Sequence, residues 1–140
     1  MLPITTAKVD DIPAAVLELF RTAVDLSVLD DYKGIQLDGE PDIIIELIEL
    51  YLEDAPRRVA AMQESAARRD WQSVKREAHS LRGSSGSLGA VEMAQICAGI
   101  EEVVCGSPGL NIAVLLSRLE LGLQRALHAF LLERERRRSQ

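Results

Sequence analysis

One histidine in this sequence has cations beside it and missing side chains next to it, and that combination suits nucleophilic chemistry. His79 lies in the run Arg76-Glu77-Ala78-His79-Ser80-Leu81-Arg82-Gly83-Ser84-Ser85-Gly86-Ser87-Leu88-Gly89-Ala90. At about 100° per residue, Val74, Ala78, Leu81, Ser85 and Leu88 form the apolar stripe of a core-facing helix. His79 falls on the opposite face with Gln72, Lys75, Arg76, Arg82, Gly83 and Gly86. An interior glycine costs a helix roughly 1 kcal/mol relative to alanine. Two of them, one and two turns beyond His79, imply a compensating use. Without their side chains, a second protein or a phosphoryl group can approach the ring. Arg82 reaches the same volume with a cation, and Lys75 or Arg76 can offset the charge of phosphoryl oxygens. An unperturbed imidazole titrates near about 6.5, so at neutral pH it is largely an uncharged nucleophile. Ser84 and Ser85 fall towards the core, where small hydroxyls permit close helix packing and bond carbonyls of the preceding turn. The plainer alternative is an ordinary surface histidine.

The elements that hold this run read as helices throughout. Asp70 is the expected N-cap of the histidine helix, which spans Trp71 to about Leu88. Val91 to Val104 follows as its antiparallel mate across the tight Gly89-Ala90 link, with Met93, Ile96, Cys97, Ile100 and Val103 or Val104 inward. Before the histidine helix, Asp42 to Ala67 repeats apolar residues at Ile44, Leu47, Ile48, Tyr51, Leu52, Ala55, Val59 and Met62. Pro56 predicts a kink or break there, because it removes a backbone donor. Gly106 to Gly109 form a turn, Asn111 caps a last helix, and Leu115, Leu119, Leu123, Ala126, Leu127 and Phe130 face its core. Gly34 to Pro41 is a loop. An amphipathic stretch, Ile12 to Val24, adds a leading helix. The fold class is therefore all-α, an antiparallel up-down-up-down four-helix bundle with additional N-terminal helix or helices. Residues 1–24 form the extension, 25–132 the bundle, and 133–140 a basic tail.

Composition bounds the function. The 140 residues are 47% hydrophobic but only 4% aromatic, enough apolar material for one core, and no alternating β pattern occurs. A net charge of -6 disfavours nucleic acid, whose binding needs clustered cations. The cluster of Arg134, Arg136, Arg137 and Arg138 is the exception; it is expected to be a solvated, frayed C-terminus placed well against the helix dipole. No apolar stretch approaches the roughly 20 residues of a spanning helix, and no basic-then-apolar leader opens the chain. No membrane contact and a cytoplasmic location are expected. Cys97 and Cys105 lie eight apart on one helix, roughly 12 Å along its axis, too far for a mutual disulfide. His128 has no metal-ligand spacing around it, so neither a metal nor another cofactor is expected.

The histidine run resembles the signature of histidine-containing phosphotransfer (HPt) domains. Ala78-His79-Ser80-Leu81-Arg82-Gly83-Ser84-Ser85, followed by Gly89-Ala90, matches the family's Ala-His-x-Leu-Lys-Gly-Ser-Ser and Gly-Ala. The likeness extends from about Leu26 to Phe130. It takes in a short leading helix at Asp25 to Leu29, the segment Tyr51-Leu52-Glu53-Asp54-Ala55-Pro56, and Arg69-Asp70-Trp71. Two positions depart from the pattern. Arg82 stands where Lys is usual and keeps the charge, with a planar fork for phosphate oxygens. Glu101 stands where Gln is frequent, and would either bond the imidazole N–H or repel a phosphoryl group.

The resemblance implies a relay. His79 takes a phosphoryl group from a receiver-domain aspartate, or from a kinase acting through one, and passes it to another receiver in two-component signalling. Arg82 and Gly83 serve the transfer directly, with Lys75, Arg76, Ser84, Gly86 and Glu101 in support. The implied partners are response-regulator receiver domains and a hybrid histidine kinase, met as a monomer. No nucleotide-binding loop is present, so the chain is expected to be a carrier and not an ATP-dependent kinase. Two alternatives stay open: an unphosphorylated helical adaptor, and the phosphoacceptor domain of a chemotaxis-type kinase. Relatives dock receivers with their leading helix, which points to Val28, Leu29 and Tyr32; the same residues could instead cap the core.

Overall fold

A computed structural model describes residues 23–106 and 110–139. Four α-helices carry most of the described residues: α1 (Ile43–Ala67), α2 (Trp71–Leu88), α3 (Val91–Cys105) and α4 (Leu110–Arg138). Each packs on its neighbour in sequence, and α4 closes the ring against α1. With links as short as 68–70 and 89–90, consecutive helices must run antiparallel, which gives the expected bundle. A leading 3₁₀ helix (Leu26–Ile35) lies on α1 and α2. Of the expected helix at 12–24, only Ala23 and Val24 fall within the described residues, and both are buried.

Local chemistry explains the boundaries near the histidine helix. The Asp70 side chain accepts from the Ser73 N–H at 3.2 Å and from the Ser73 hydroxyl at 2.7 Å, and so caps α2 as expected. These bonds, the hydroxyl first and the backbone N–H second, hold the Asp70 carboxyl below the usual carboxylate range. At the other end Gly89 adopts φ +86°, which permits the Ala90 N–H to bond back to the Ser85 carbonyl at 2.8 Å. A Cβ at Gly89 would collide with the Asp25 carbonyl. That close approach lets the Asp25 N–H donate to the Gly89 carbonyl at 2.7 Å and ties the leading helix to the α2–α3 turn.

The inward residues read from periodicity form one core. Val74, Ala78 and Leu81 of α2 meet Ile48, Ala55 and Met62 of α1, Met93, Cys97 and Ile100 of α3, and Leu119, Leu127 and Phe130 of α4. Tyr51, Ser85 and Phe130 join three helices at one point: the Tyr51 and Ser85 hydroxyls lie 2.7 Å apart, and the Tyr51 and Phe130 rings meet edge to face at 5.1 Å. Polar braces hold the helix pairs. Arg58 of α1 spans Asp54 and Glu77 of α2, and Arg125 of α4 forks onto Glu92 of α3 at 2.8 and 2.9 Å.

Four expectations need correction. Pro56 does not break α1, which runs unbroken from Ile43 to Ala67; burying Tyr51 and Ala55 before the proline and Val59 and Met62 after it holds the helix through the missing bond. The leading helix is a longer 3₁₀ segment, so the loop begins at Gln36, whose side chain accepts from the Ile43 N–H at 2.7 Å. Asn111 is not the cap of α4, because the helix already includes Leu110. The basic tail is not frayed up to Arg138. Glu133 is buried and takes Arg136 at 2.6 Å and Arg137 at 3.2 Å, while Arg138 reaches Glu49 of α1 at 2.8 Å.

Candidate functional site

Helix α2 turns its two faces as the periodicity requires. Val74, Ala78, Leu81, Ser85 and Leu88 are buried, while Gln72, Lys75, Arg76, His79, Arg82, Gly83 and Gly86 are exposed. The His79 side chain is 68% exposed at mid-helix, so one edge of its ring is open to a partner. A Cβ built at Gly83 or Gly86 would meet nothing within 4 Å. Nothing inside the fold therefore excludes a side chain at either position. The space these glycines clear lies outside, on the face that carries the imidazole.

Glu101 comes across from α3 to meet that face. Its Oε1 stands 3.3 Å from His79 Nδ1 and its Oε2 stands 3.5 Å from the Arg82 guanidinium. The carboxylate is largely buried, at 14% exposure, whereas the Arg82 side chain is 44% exposed and can turn outward. Glu101 therefore lies within reach of the imidazole, as the first of its two expected roles requires. Nδ1 is thus the ring nitrogen turned to Glu101.

The other expected residues divide. Arg76 is exposed one turn before His79, with its guanidinium on the Ser73 hydroxyl at 3.0 Å, and Lys75 is exposed beside it. Ser84 is not brought to the ring: it is half-buried, donates to the Leu81 carbonyl at 3.2 Å, and lines a groove of about 450 Å³ between α1 and α2 with Tyr32, Leu47 and Leu50. Leu29 is a correction. It is fully buried and belongs to the core, leaving the half-buried Val28 and Tyr32 as the part of the expected docking surface that solvent reaches. In a 3₁₀ helix, residues three apart share a face, so Leu26, Leu29 and Tyr32 all lean on the bundle. The Tyr32 hydroxyl donates to the Ser87 carbonyl at 2.7 Å, fastening the leading helix to α2.

Cys97 does not compete for the chemistry. Cys97 is buried one turn before Glu101, and burial, followed by the Glu101 charge, pushes its thiol up to about 12; a thiol so placed stays protonated and unreactive near neutrality. His128 is half-buried, with Nδ1 at 2.8 Å from the Gln124 carbonyl. Among the described residues no three His, Cys, Asp or Glu side chains are grouped to hold a metal ion. None of the described helices is long and apolar enough to cross a membrane.

A histidine standing clear at mid-helix, with a cation one turn on and open glycine positions beyond, agrees with the family comparison: the Hpt domain model matches residues 46–130. The chain belongs to the Hpt domain family. It is 31% identical over 75 residues to histidine-containing phosphotransfer protein 2 of Arabidopsis thaliana, covering 51% of this chain and 48% of that protein. Histidine-containing phosphotransfer protein 5 of the same plant is 26% identical over 90 residues, covering 62% and 57% respectively. The chain thus spans about half the length of these curated relatives. Among solved structures, histidine-containing phosphotransfer protein B (HptB) from Pseudomonas aeruginosa PAO1 shares the fold with a TM-score of 0.73 and 24% identity, covering 81% of this chain and 96% of that one.

Proposed function

We propose that this Hpt protein relays a phosphoryl group between receiver-domain aspartates in a two-component phosphorelay, with His79 as its phosphoacceptor. The observation that carries the proposal is the environment of that ring: an exposed imidazole with Nδ1 towards Glu101, Arg82 beside the same carboxylate, and no side chain at Gly83 or Gly86. The relatives named as histidine-containing phosphotransfer proteins support it.

In the forward step the Nε2 lone pair attacks the phosphorus of a receiver's aspartyl phosphate. The N–P bond forms, the P–O bond to the aspartate breaks, and the electron pair leaves with the aspartate carboxylate. Arg82 turns from Glu101 to the phosphoryl oxygens, where charge-assisted bonds are strong. Lys75 and Arg76 add positive potential from the preceding turn. The reverse step loads a second receiver. In this role the protein is a carrier without a nucleotide site, works as a cytoplasmic monomer, and meets a hybrid kinase and a response regulator in turn, with Val28 and Tyr32 at the edge of the contact.

The test is incubation with a phosphorylated receiver domain. Acid-labile, alkali-stable label is expected on the wild type and absent from His79→Gln, with His128→Ala labelled normally. Label retained in His79→Gln would remove His79 as the acceptor, and an unlabelled but receiver-binding wild type would make the protein an adaptor.

A further inference from the structure

Exposed apolar side chains that the transfer site does not use gather at the N-terminal end of α1. Ile35 is 58% and Leu37 67% exposed, and with Pro41 and Ile43 they line a hollow of about 190 Å³ whose rim carries Glu40 and Glu46. Leu47, one turn along α1 from Ile43, continues the apolar stripe. The loop that presents this surface is held in one shape. The Gln36 amide nitrogen reaches the carbonyls of Leu37, Glu40 and Pro41 at 3.1, 3.2 and 3.0 Å, and its side-chain oxygen takes the Ile43 N–H at 2.7 Å. Gly39, at φ +80°, lets the Glu40 N–H close a turn onto the Leu37 carbonyl at 3.2 Å. One side chain thus fixes a loop that holds Leu37 out in water beside Ile35, an arrangement the core does not need and a partner can use.

The charge around the patch selects what covers it. From 25 to 56 the sequence holds ten acids and a single cation, Lys33, itself paired with Asp30 at 3.1 Å. Asp38, Glu40 and Glu46 are exposed and have no ion-pair partner among the described residues. Such a rim repels nucleic acid and anionic membranes, and a second copy docked patch to patch would set like charges against each other. We infer that this patch docks a basic amphipathic helix of a partner protein, with the helix's apolar stripe on Ile35, Leu37, Ile43 and Leu47 and its lysines or arginines meeting Asp38, Glu40 and Glu46. The patch stands apart from phosphoryl transfer. Tyr51 of α1 lies level with Ser85 of α2, and from that level His79 and Ile43 lie in opposite directions, roughly 20 Å apart along the bundle. A receiver covering about 800 Å² around His79 extends to a radius of about 16 Å, so the ring and the patch can be occupied together. The docked helix tethers the protein while His79 exchanges its phosphoryl group.

The probe is a fluorescein-labelled helical peptide of leucine and lysine with its leucines on one face, beside a control in which every lysine is glutamate. Wild type is compared with Ile35→Ser/Leu37→Ser, with Glu40→Lys/Glu46→Lys, and with Val114→Ser, which alters an exposed apolar residue of α4; each is first checked for native circular dichroism. Wild type should bind the lysine peptide, more weakly as salt rises, and not the glutamate peptide. Amide shifts in NMR should change at 35–47. Both double variants should bind at least about tenfold more weakly, and Val114→Ser as wild type does. With the peptide bound, a phosphorylated receiver should label His79 at an unchanged rate. No binding to wild type, equal binding by all four proteins, or shift changes centred elsewhere would overturn the docking site. A bound peptide that blocks labelling would overturn its independence from transfer and make the patch part of the receiver contact.

Discussion

At the level of single residues, the two open glycines and the cation that precedes them make separable claims. Gly83 bears no contact that a side chain would disturb, so its substitution tests access alone. Gly83→Gln should fold with equal or slightly higher helix content, since glutamine is the better helix former by roughly 1 kcal/mol. Transfer should nevertheless fall by at least tenfold, because the new side chain occupies the approach to His79 one turn away. Circular dichroism beside the transfer rate checks this, and normal transfer through the folded variant would mean the cleared space has no use. Arg82 tests charge. Arg82→Ala should slow phosphorylation several-fold and shorten the phosphohistidine's lifetime, while Arg82→Lys should be mild. A generic surface charge contributes only about 0 to 1 kcal/mol, so a large effect confined to loss of the cation separates a phosphoryl contact from background electrostatics. These residues were legible in the sequence because a strict helical period places them on one face. The reach of Glu101 to both His79 and Arg82 was not, because no local spacing links α3 to α2; the sequence could only name the residue.

At the level of elements, three positions among the described residues carry left-handed backbone, Gly39, Arg69 and Gly89, and Arg69 alone of them is not glycine. Gly89 ends α2 at φ +86°, and Arg69 sits at φ 58° between α1 and α2. For a residue with a Cβ this conformation costs roughly 1–2 kcal/mol. Arg69→Gly should therefore raise the melting temperature by a few degrees, while Gly89→Ala should lower it by more, since the added Cβ also meets the Asp25 carbonyl and Val28. Thermal denaturation followed by circular dichroism gives both values; an unchanged Gly89→Ala protein would mean the leading helix is not anchored at this turn. The leading helix was the element least legible in advance. The resemblance points to Val28, Leu29 and Tyr32 together and does not tell their faces apart, whereas three residues per turn drive Leu29 into the core. The end of α4 was misjudged for another reason. Four arginines suggest a solvated tail, yet buried Glu133 and distant Glu49 give three of them fixed partners.

For the whole molecule, the point that matters is where three helices meet behind the site. Tyr51 of α1 bonds Ser85 of the histidine helix and stacks edge-on against Phe130 of α4, so α2 is fixed in rotation by a buried polar contact as well as by its apolar stripe. Removing one hydroxyl strands the other. Tyr51→Phe and Ser85→Ala should each cost about 1–2 kcal/mol, and the double variant should cost less than their sum, because no unpaired buried group remains. The same core sets an alkaline limit. Burial, the largest cause, pushes the Tyr51 phenol well above its ordinary 10.0 and the Cys97 thiol from 9.0 up to about 12. Both groups are neutral when protonated and have folded values above their unfolded ones. Their contribution is therefore complete below about pH 9 and is lost as the pH climbs, first through the thiol and then through the phenol. Urea unfolding between pH 7 and 11 should show a flat region followed by a decline, and Tyr51→Phe should flatten the decline above about pH 10. A decline of the same steepness in Tyr51→Phe would move the alkaline sensitivity away from the residue that locks the histidine helix.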